Sequence, residues 1–210
     1  MLDRIRKIYG GRENRASFFN IVSRYFAKGS ADYILIERAY STAKDAFRQE
    51  SRDDGERYFE HLRAVALILM VYMRVMDANV IAAGLLHDIV EDIEHWSQER
   101  LATEFNHDIG ELVWWVSKPS LDKFLGNKAA RNRAYHKNLR RAPRRAILIK
   151  LADRLHNLLT LWNCEEEKQR RKVDETQHFY VPIAEDEFVL IHELEAAINE
   201  LEASWVKLTE

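Results

Sequence analysis

The chain has 210 residues, 47% hydrophobic and 31% charged, with a formal net charge of -2. That is the composition of one ordinary globular domain, and it excludes a disordered or fibrous chain and a globally basic nucleic-acid binder. The apolar stretch from Ala64 to Met73 falls far short of the roughly 20 residues a membrane span needs, and no apolar run follows the charged start Asp3, Arg4, Arg6 and Lys7. Neither a membrane helix nor a secretory signal is predicted, and the expected location is the cytoplasm. The single cysteine, Cys164, sits beside Glu165, Glu166 and Glu167, which would raise a thiol pKa, so it is not read as a nucleophile.

With 7 glycines and 3 prolines the chain has few stop signals, which predicts an all-α fold of helices joined by short turns. Residues 1–30, with Phe18, Phe19, Ile21, Val22, Tyr25 and Phe26, read as a separate amphipathic helix. Apolar residues from Ile34 to Phe47 repeat at helical spacing, and the polar run Ser51-Arg52-Asp53-Asp54-Gly55 ends that element as a loop. His61 to Met76 and Ala78 to Val90 are apolar almost all round and are expected to form the centre of the bundle. Ser97 is placed to cap a short helix, and another runs from Ile109 to Val116 ahead of Pro119. Helices from Ala129 to Ala142, Arg144 to Trp162, Glu166 to Tyr180 and Glu187 to Leu208 complete the prediction.

Charge is uneven along the chain. Lys118 to Lys150 holds 11 Lys and Arg against one acid, Asp122, which reads as a solvated helical face or as an electrostatic funnel for an anionic phosphate ligand. Glu185 to Glu210 carries 8 acids and one base, with Ile191, Leu194, Ile198, Leu201, Trp205 and Leu208 spaced like a heptad seam. So short a seam is expected to pack onto the domain, with homodimerisation as its second use. The implied organisation is an extension over 1–30, a core domain over 31–185 and an acidic helix over 186–210.

The chemistry is concentrated in Ala82-Ala83-Gly84-Leu85-Leu86-His87-Asp88-Ile89-Val90-Glu91-Asp92, where four titratable residues interrupt an apolar helix. On a helix Glu91 lies one turn from His87 and Asp88, and Asp92 one turn from Asp88, so the four share a face. A bound cation would let three carboxylates tolerate one another; a hydrogen-bonded core histidine is the alternative. A second His-Asp pair, His107-Asp108, lies at a turn before a helix, and there Asp108 reads as a cap. A second polar stripe runs through Lys150-Leu151-Ala152-Asp153-Arg154-Leu155-His156-Asn157-Leu158-Leu159-Thr160, with Asp153, Asn157 and Thr160 on one face. His61 opens a core helix, and with His87, Asp88 and Asp153 it makes a mixed nitrogen and oxygen set suited to a divalent first-row metal such as Mn, Fe or Zn.

In this order the motifs resemble the HD-domain superfamily of metal-dependent phosphohydrolases, and more narrowly the hydrolase domain of the RelA/SpoT family, over about Asp32 to Glu185. That resemblance implies an HD-type helical bundle that removes the 3'-pyrophosphate from ppGpp and pppGpp, with manganese as the usual ion. It makes His61, His87, Asp88 and Asp153 the metal ligands and Glu91 and Asp92 the catalytic acidic pair. Arg52, Asn157 and Thr160 match positions that contact the guanine nucleotide, and Lys150 and Arg154 follow as outer, structural members of that set. The family's Glu-Thr-x-x-x-Tyr-x-Pro-x-Ala pattern recurs from Glu175 and Thr176 through Tyr180 and Pro182 to Ala184. Leu62 and Ile93 stand where the family commonly has Pro and Thr, and the loop Arg52-Asp53-Asp54-Gly55-Glu56-Arg57-Tyr58 has acid where a second basic residue is usual. The length leaves no room for a synthetase domain, which implies a stand-alone hydrolase or the front of a longer chain.

The expected mechanism is hydrolysis by metal-activated water, ordered by Glu91 and Asp92. The alternatives are an HD nucleotide phosphohydrolase of other specificity, or a non-catalytic module that senses a nucleotide. No membrane or nucleic-acid partner is expected.

Overall fold

Short polar side chains start six helices of the computed structural model, which describes residues 1–10, 14–53 and 55–206. Asn14 opens α2 (Arg15–Val22) with a reciprocal pair of bonds to Ser17, and Ser30 opens α3 (Ala31–Ala46) by accepting from the Tyr33 N–H. Asp77 does the same for α5 (Ala78–Leu86), Ser97 for α7 (Gln98–Glu104), Asn106 for α8 (His107–Val116) and Asn127 for α9 (Lys128–Leu139). Each cap satisfies a backbone N–H that has no partner inside its own helix. The other helices are α1 (Leu2–Tyr9), α4 (Tyr58–Leu67), α6 (Ile89–Asp92), α10 (Arg144–Leu159), α11 (Glu166–Glu175), α12 (Val181–Glu187) and α13 (Ile191–Val206). Among the described residues there is no strand, only an antiparallel bridge between Ser51 and Arg57 that closes the loop before α4.

α5 is the centre of the bundle, packed against α3, α4, α8 and α10. Val80 to Leu86 are all buried, and an element apolar on every side has no other place in a water-soluble fold. Gly84 leaves room for the Leu69 side chain of the turn that follows α4, since a Cβ there would stand 2.7 Å from Leu69 Cδ1. α4 and α10 pack on each other as well as on α5, so the three helices that carry the polar motifs converge on one point.

Several expectations are corrected. The segment read as one N-terminal helix forms two, α1 and α2, and Leu2, Ile5, Phe18, Phe19 and Val22 join the common core. The helix expected to reach Met76 widens into a π turn over Ile68–Tyr72. The helix expected to run unbroken to Val90 is interrupted at His87 and Asp88, where α5 ends and α6 begins. Asn106, not Asp108, caps α8, because Asn106 occupies the position before the first helical residue; Asp108 instead takes a two-pronged salt bridge from Arg145. A second π turn, Thr176–Tyr180, separates α11 from α12, which carries Pro182 in its first turn. On α13, Leu194, Ile198 and Leu201 are buried against the domain, so the seam is covered by the chain's own helices α10, α11 and α12. Asp54 and Leu208 lie outside the described residues.

Candidate metal centre and nucleotide cleft

α4 supplies His61, the junction of α5 and α6 supplies His87 and Asp88, and α10 supplies Asp153, all buried. His61 Nε2 lies 3.2 Å from Asp153 Oδ1 and 3.7 Å from Asp88 Oδ2. His87 Nε2 lies 3.1 Å from Asp88 Oδ2 and 3.6 Å from Asp153 Oδ1. The interruption between α5 and α6 leaves the Asp88 carbonyl accepting from the Glu91 and Asp92 N–H groups, so the acidic pair stays close to the histidine cluster. His61, His87 and Asp88 each present a ligand atom within 4.8 Å of the others.

Whether these residues fit a metal is tested by His87. Its Nδ1 is 2.8 Å from the Gly84 carbonyl oxygen, so Nδ1 carries the proton and donates it, leaving a lone pair on Nε2. That Nε2 is buried without a hydrogen-bond partner and faces two carboxylates. Burial opposes a charge on this ring, but the Asp88 and Asp153 carboxylates outweigh it and raise the pKa to about 10. The cluster calls for positive charge at that point, and two imidazoles with two carboxylates suit a divalent first-row ion. Lys150 Nζ holds the other oxygen of Asp153 at 2.9 Å, which leaves Oδ1 toward the histidines.

The acidic pair is held by its neighbours. Glu91 Oε1 accepts from the Lys118 N–H at 2.7 Å, and its other oxygen is 3.7 Å from Lys118 Nζ. Burial, with the nearby Asp88 charge, pushes the Asp92 carboxyl up to about 6. Tyr58, one turn before His61 on α4, donates to Asp88 Oδ2 at 2.8 Å.

A cavity of about 320 Å³ opens from this cluster toward the loop before α4. One wall is built by Arg52, whose Nη2 donates to Asn157 Oδ1 at 2.9 Å and to Thr160 Oγ1 at 3.2 Å, while Asn157 Nδ2 donates to Asp153 Oδ1 of the cluster. Lys118, Lys168 and Lys172 line it as well. Burial, then the Arg154 charge, lowers the Lys172 pKa to about 8. Arg154 lines the wall, but its guanidinium is spoken for: it donates to Glu175 Oε2 at 3.0 Å and lies 4.0 Å from the centre of the Tyr180 ring. Asp53, one of the acids of the loop before α4, is ion-paired with Lys168. Of the basic segment, Arg144 pairs with Glu187 and Arg145 with Asp77 and Asp108; Lys118 and Lys150 are the members that reach this cavity.

Sequence reasoning assigned no role to Tyr58, Lys168, Lys172 or His156. Tyr58 had a usable signal, one helical turn from His61. The lysines had none, since Lys168 and Lys172 sit in a highly charged helix that reads as solvated.

A comparison with protein families settles the fold: the HD-domain profile matches residues 39–187. The chain belongs to the HD-domain family. This HD domain is 36% identical over 168 residues to the bifunctional (p)ppGpp synthase/hydrolase SpoT of Escherichia coli K12, covering 79% of this chain and 23% of that protein. It is 40% identical over 151 residues to a GTP pyrophosphokinase of Streptomyces coelicolor, covering 71% of this chain and 17% of that one. It therefore spans about a fifth of the length of these relatives. Among solved structures, it resembles a metazoan ortholog of SpoT, described as hydrolysing ppGpp, with TM-score 0.67, 27% identity, and coverage of 85% of this chain and 98% of that one.

Proposed function

We propose that this HD domain is a metal-dependent 3'-pyrophosphohydrolase of ppGpp and pppGpp acting in the cytoplasm. The observation that carries the reading is the junction of two unlike groups in one cleft: a buried cluster of His61, His87, Asp88 and Asp153, and beside it the Arg52-Asn157-Thr160 group, joined to the cluster where Asn157 Nδ2 donates to Asp153 Oδ1. The names of the similar proteins, with the likeness to a ppGpp-hydrolysing structure that this chain covers nearly whole, support the substrate.

His61 Nε2, His87 Nε2, Asp88 and Asp153 would hold a divalent ion, with manganese the expected one. When bound, such an ion lowers the pKa of a water ligand and offsets charge on the phosphoryl oxygens. Arg52 directs planar donors toward the nucleoside, and Asn157 and Thr160 hold its guanidinium in place. Lys118, Lys168 and Lys172 attract the polyphosphate into the cleft. Glu91, anchored by the Lys118 backbone, orients the attacking water. As the bond between phosphorus and the 3'-oxygen breaks, Asp92 is placed to give the leaving oxygen its proton, since its carboxyl titrates near neutrality.

Incubating the purified protein with ppGpp and Mn(II), and separating products by anion exchange, tests this directly. The expected products are GDP and pyrophosphate, lost on adding a chelator, with GTP and deoxynucleotides left intact. Metal-dependent turnover of another nucleotide would move the specificity within HD chemistry; silence on every substrate would overturn the enzymatic reading.

A further inference from the structure

His156 is buried on α10 and takes no part in the cluster itself, yet its Nδ1 lies 2.9 Å from the Nδ1 of His61. The geometry points to His156 as a positioning residue that fixes the tautomer and ring angle of His61, with Tyr9 of α1 as its cover. This rests on the proposal that His61 is a metal ligand.

Proton placement sets the roles of the two rings. An imidazole that holds a cation through Nε2 is neutral only if its proton sits on Nδ1. With a cation on His61 Nε2, between Asp153 and Asp88, the proton shared with the facing histidine belongs to His61 Nδ1. His156 must then accept it with a bare Nδ1 and carry its own proton on Nε2. A metal-bound histidine ordinarily gives this second N–H to a carboxylate, carbonyl or water, and the pair here replaces that acceptor by a second imidazole. A lone pair on the facing ring holds His61 in plane without adding a third carboxylate to a site already rich in them.

The position of His156 is in turn set from outside the matched HD region. The Tyr9 ring meets it edge to face, with centroids 4.6 Å apart. Tyr9 ends α1, which is fastened to the core by Leu2 and Ile5 and packs on α4, the helix of His61. The N-terminal helix, whose role the sequence left open, thus closes the layer behind a proposed metal ligand.

The test compares His156→Asn, whose Oδ1 can take the place of the Nδ1 acceptor, with His156→Leu, which has none. Mn(II) affinity is read by the loss of the free-ion EPR signal, beside the melting temperature of the metal-free proteins. Leu is expected to weaken Mn(II) binding by about 10- to 100-fold and Asn by less than about threefold, though both lower the melting temperature. Equal affinity in His156→Leu and wild type, or equal losses in the two variants, would overturn the positioning role. A second measurement needs no variant: nitrogen NMR of the wild-type protein loaded with Zn(II), a diamagnetic probe, should show His61 protonated on Nδ1 and His156 on Nε2. A proton on His156 Nδ1 would also overturn the role. Wild-type protein that takes up neither ion would remove the ligand assignment along with it, whereas binding that is indifferent to position 156 would remove only the positioning role.

Discussion

Arg52 and Asn157 are 105 residues apart in the chain and joined by a 2.9 Å hydrogen bond, which locks the loop before α4 onto the last turns of α10. The same guanidinium group reaches Thr160, so one side chain organises the wall of the cleft beside the histidine-carboxylate cluster, which it joins through the Asn157 bond to Asp153. Arg52→Gln keeps a polar group but loses the charge and the forked geometry. KM for ppGpp should rise by about 10-fold or more with kcat little changed, because a charge-assisted contact is worth about 1.5–3 kcal/mol. Steady-state kinetics distinguish this from a fall in kcat, which would place Arg52 at the reacting bond.

Asp88→Ala should abolish turnover in a protein that still folds. The substitution removes a ligand atom, and it also relieves the crowding of carboxylates around the two histidines, so cooperative melting should persist. Turnover that survives at wild-type rate, in a protein confirmed as folded by circular dichroism, would contradict the ligand set.

Lys172 gives the cleft a pH dependence. Its pKa is lowered to about 8, so below that pH it is a cation facing an anionic substrate and above it is neutral. KM should therefore rise as the pH passes upward through about 8, an effect that bound phosphate shifts to somewhat higher pH by favouring the charged form. Lys172→Arg keeps its charge throughout and should flatten this limb of the KM profile.

Glu175 carries stability in place of chemistry. It accepts from Arg154 and lies 3.2 Å from His136 Nε2. Burial opposes its ionisation, but His136, Arg154 and Lys172 together hold its carboxyl well below the usual range. A depressed carboxylate stabilises the fold fully above its unfolded pKa, near 4.5, and the contribution is lost as the pH falls below that value. Glu175→Gln leaves the Arg154 charge buried without its counter-ion and should cost about 3 kcal/mol at pH 7, with a smaller difference from wild type at pH 3. Urea titrations at the two pH values measure both.

The histidine-carboxylate cluster of the cleft was legible because burial makes polar residues conspicuous. His87, Asp88 and Asp153 interrupt segments apolar on almost every side, and such interruptions need partners. Lys168 and Lys172 were illegible for the converse reason. They lie in α11 among Glu166, Glu167, Arg170 and Arg171, where a cation facing a cleft has the same local pattern as one facing water. The basic run from Lys118 to Lys150 misled in detail for the same cause: Arg144 and Arg145 are used up by acids on other elements, Glu187, Asp77 and Asp108. His156 stood inside a recognised motif, but its partner His61 is 95 residues away, and no local spacing links them.

The pattern of apolar residues, with so few glycines and prolines, was enough to determine an all-α chain, its central helices, and the motifs that carry the chemistry. Those properties are local, written in the spacing of residues along one helix. Tertiary structure alone decided that α5 breaks at His87, that the N-terminal segment is two helices, the first of them closing over His156, and which cations reach the cleft. Each of these depends on what a distant element places opposite a side chain, and helical periodicity states which face a residue occupies but not what that face meets.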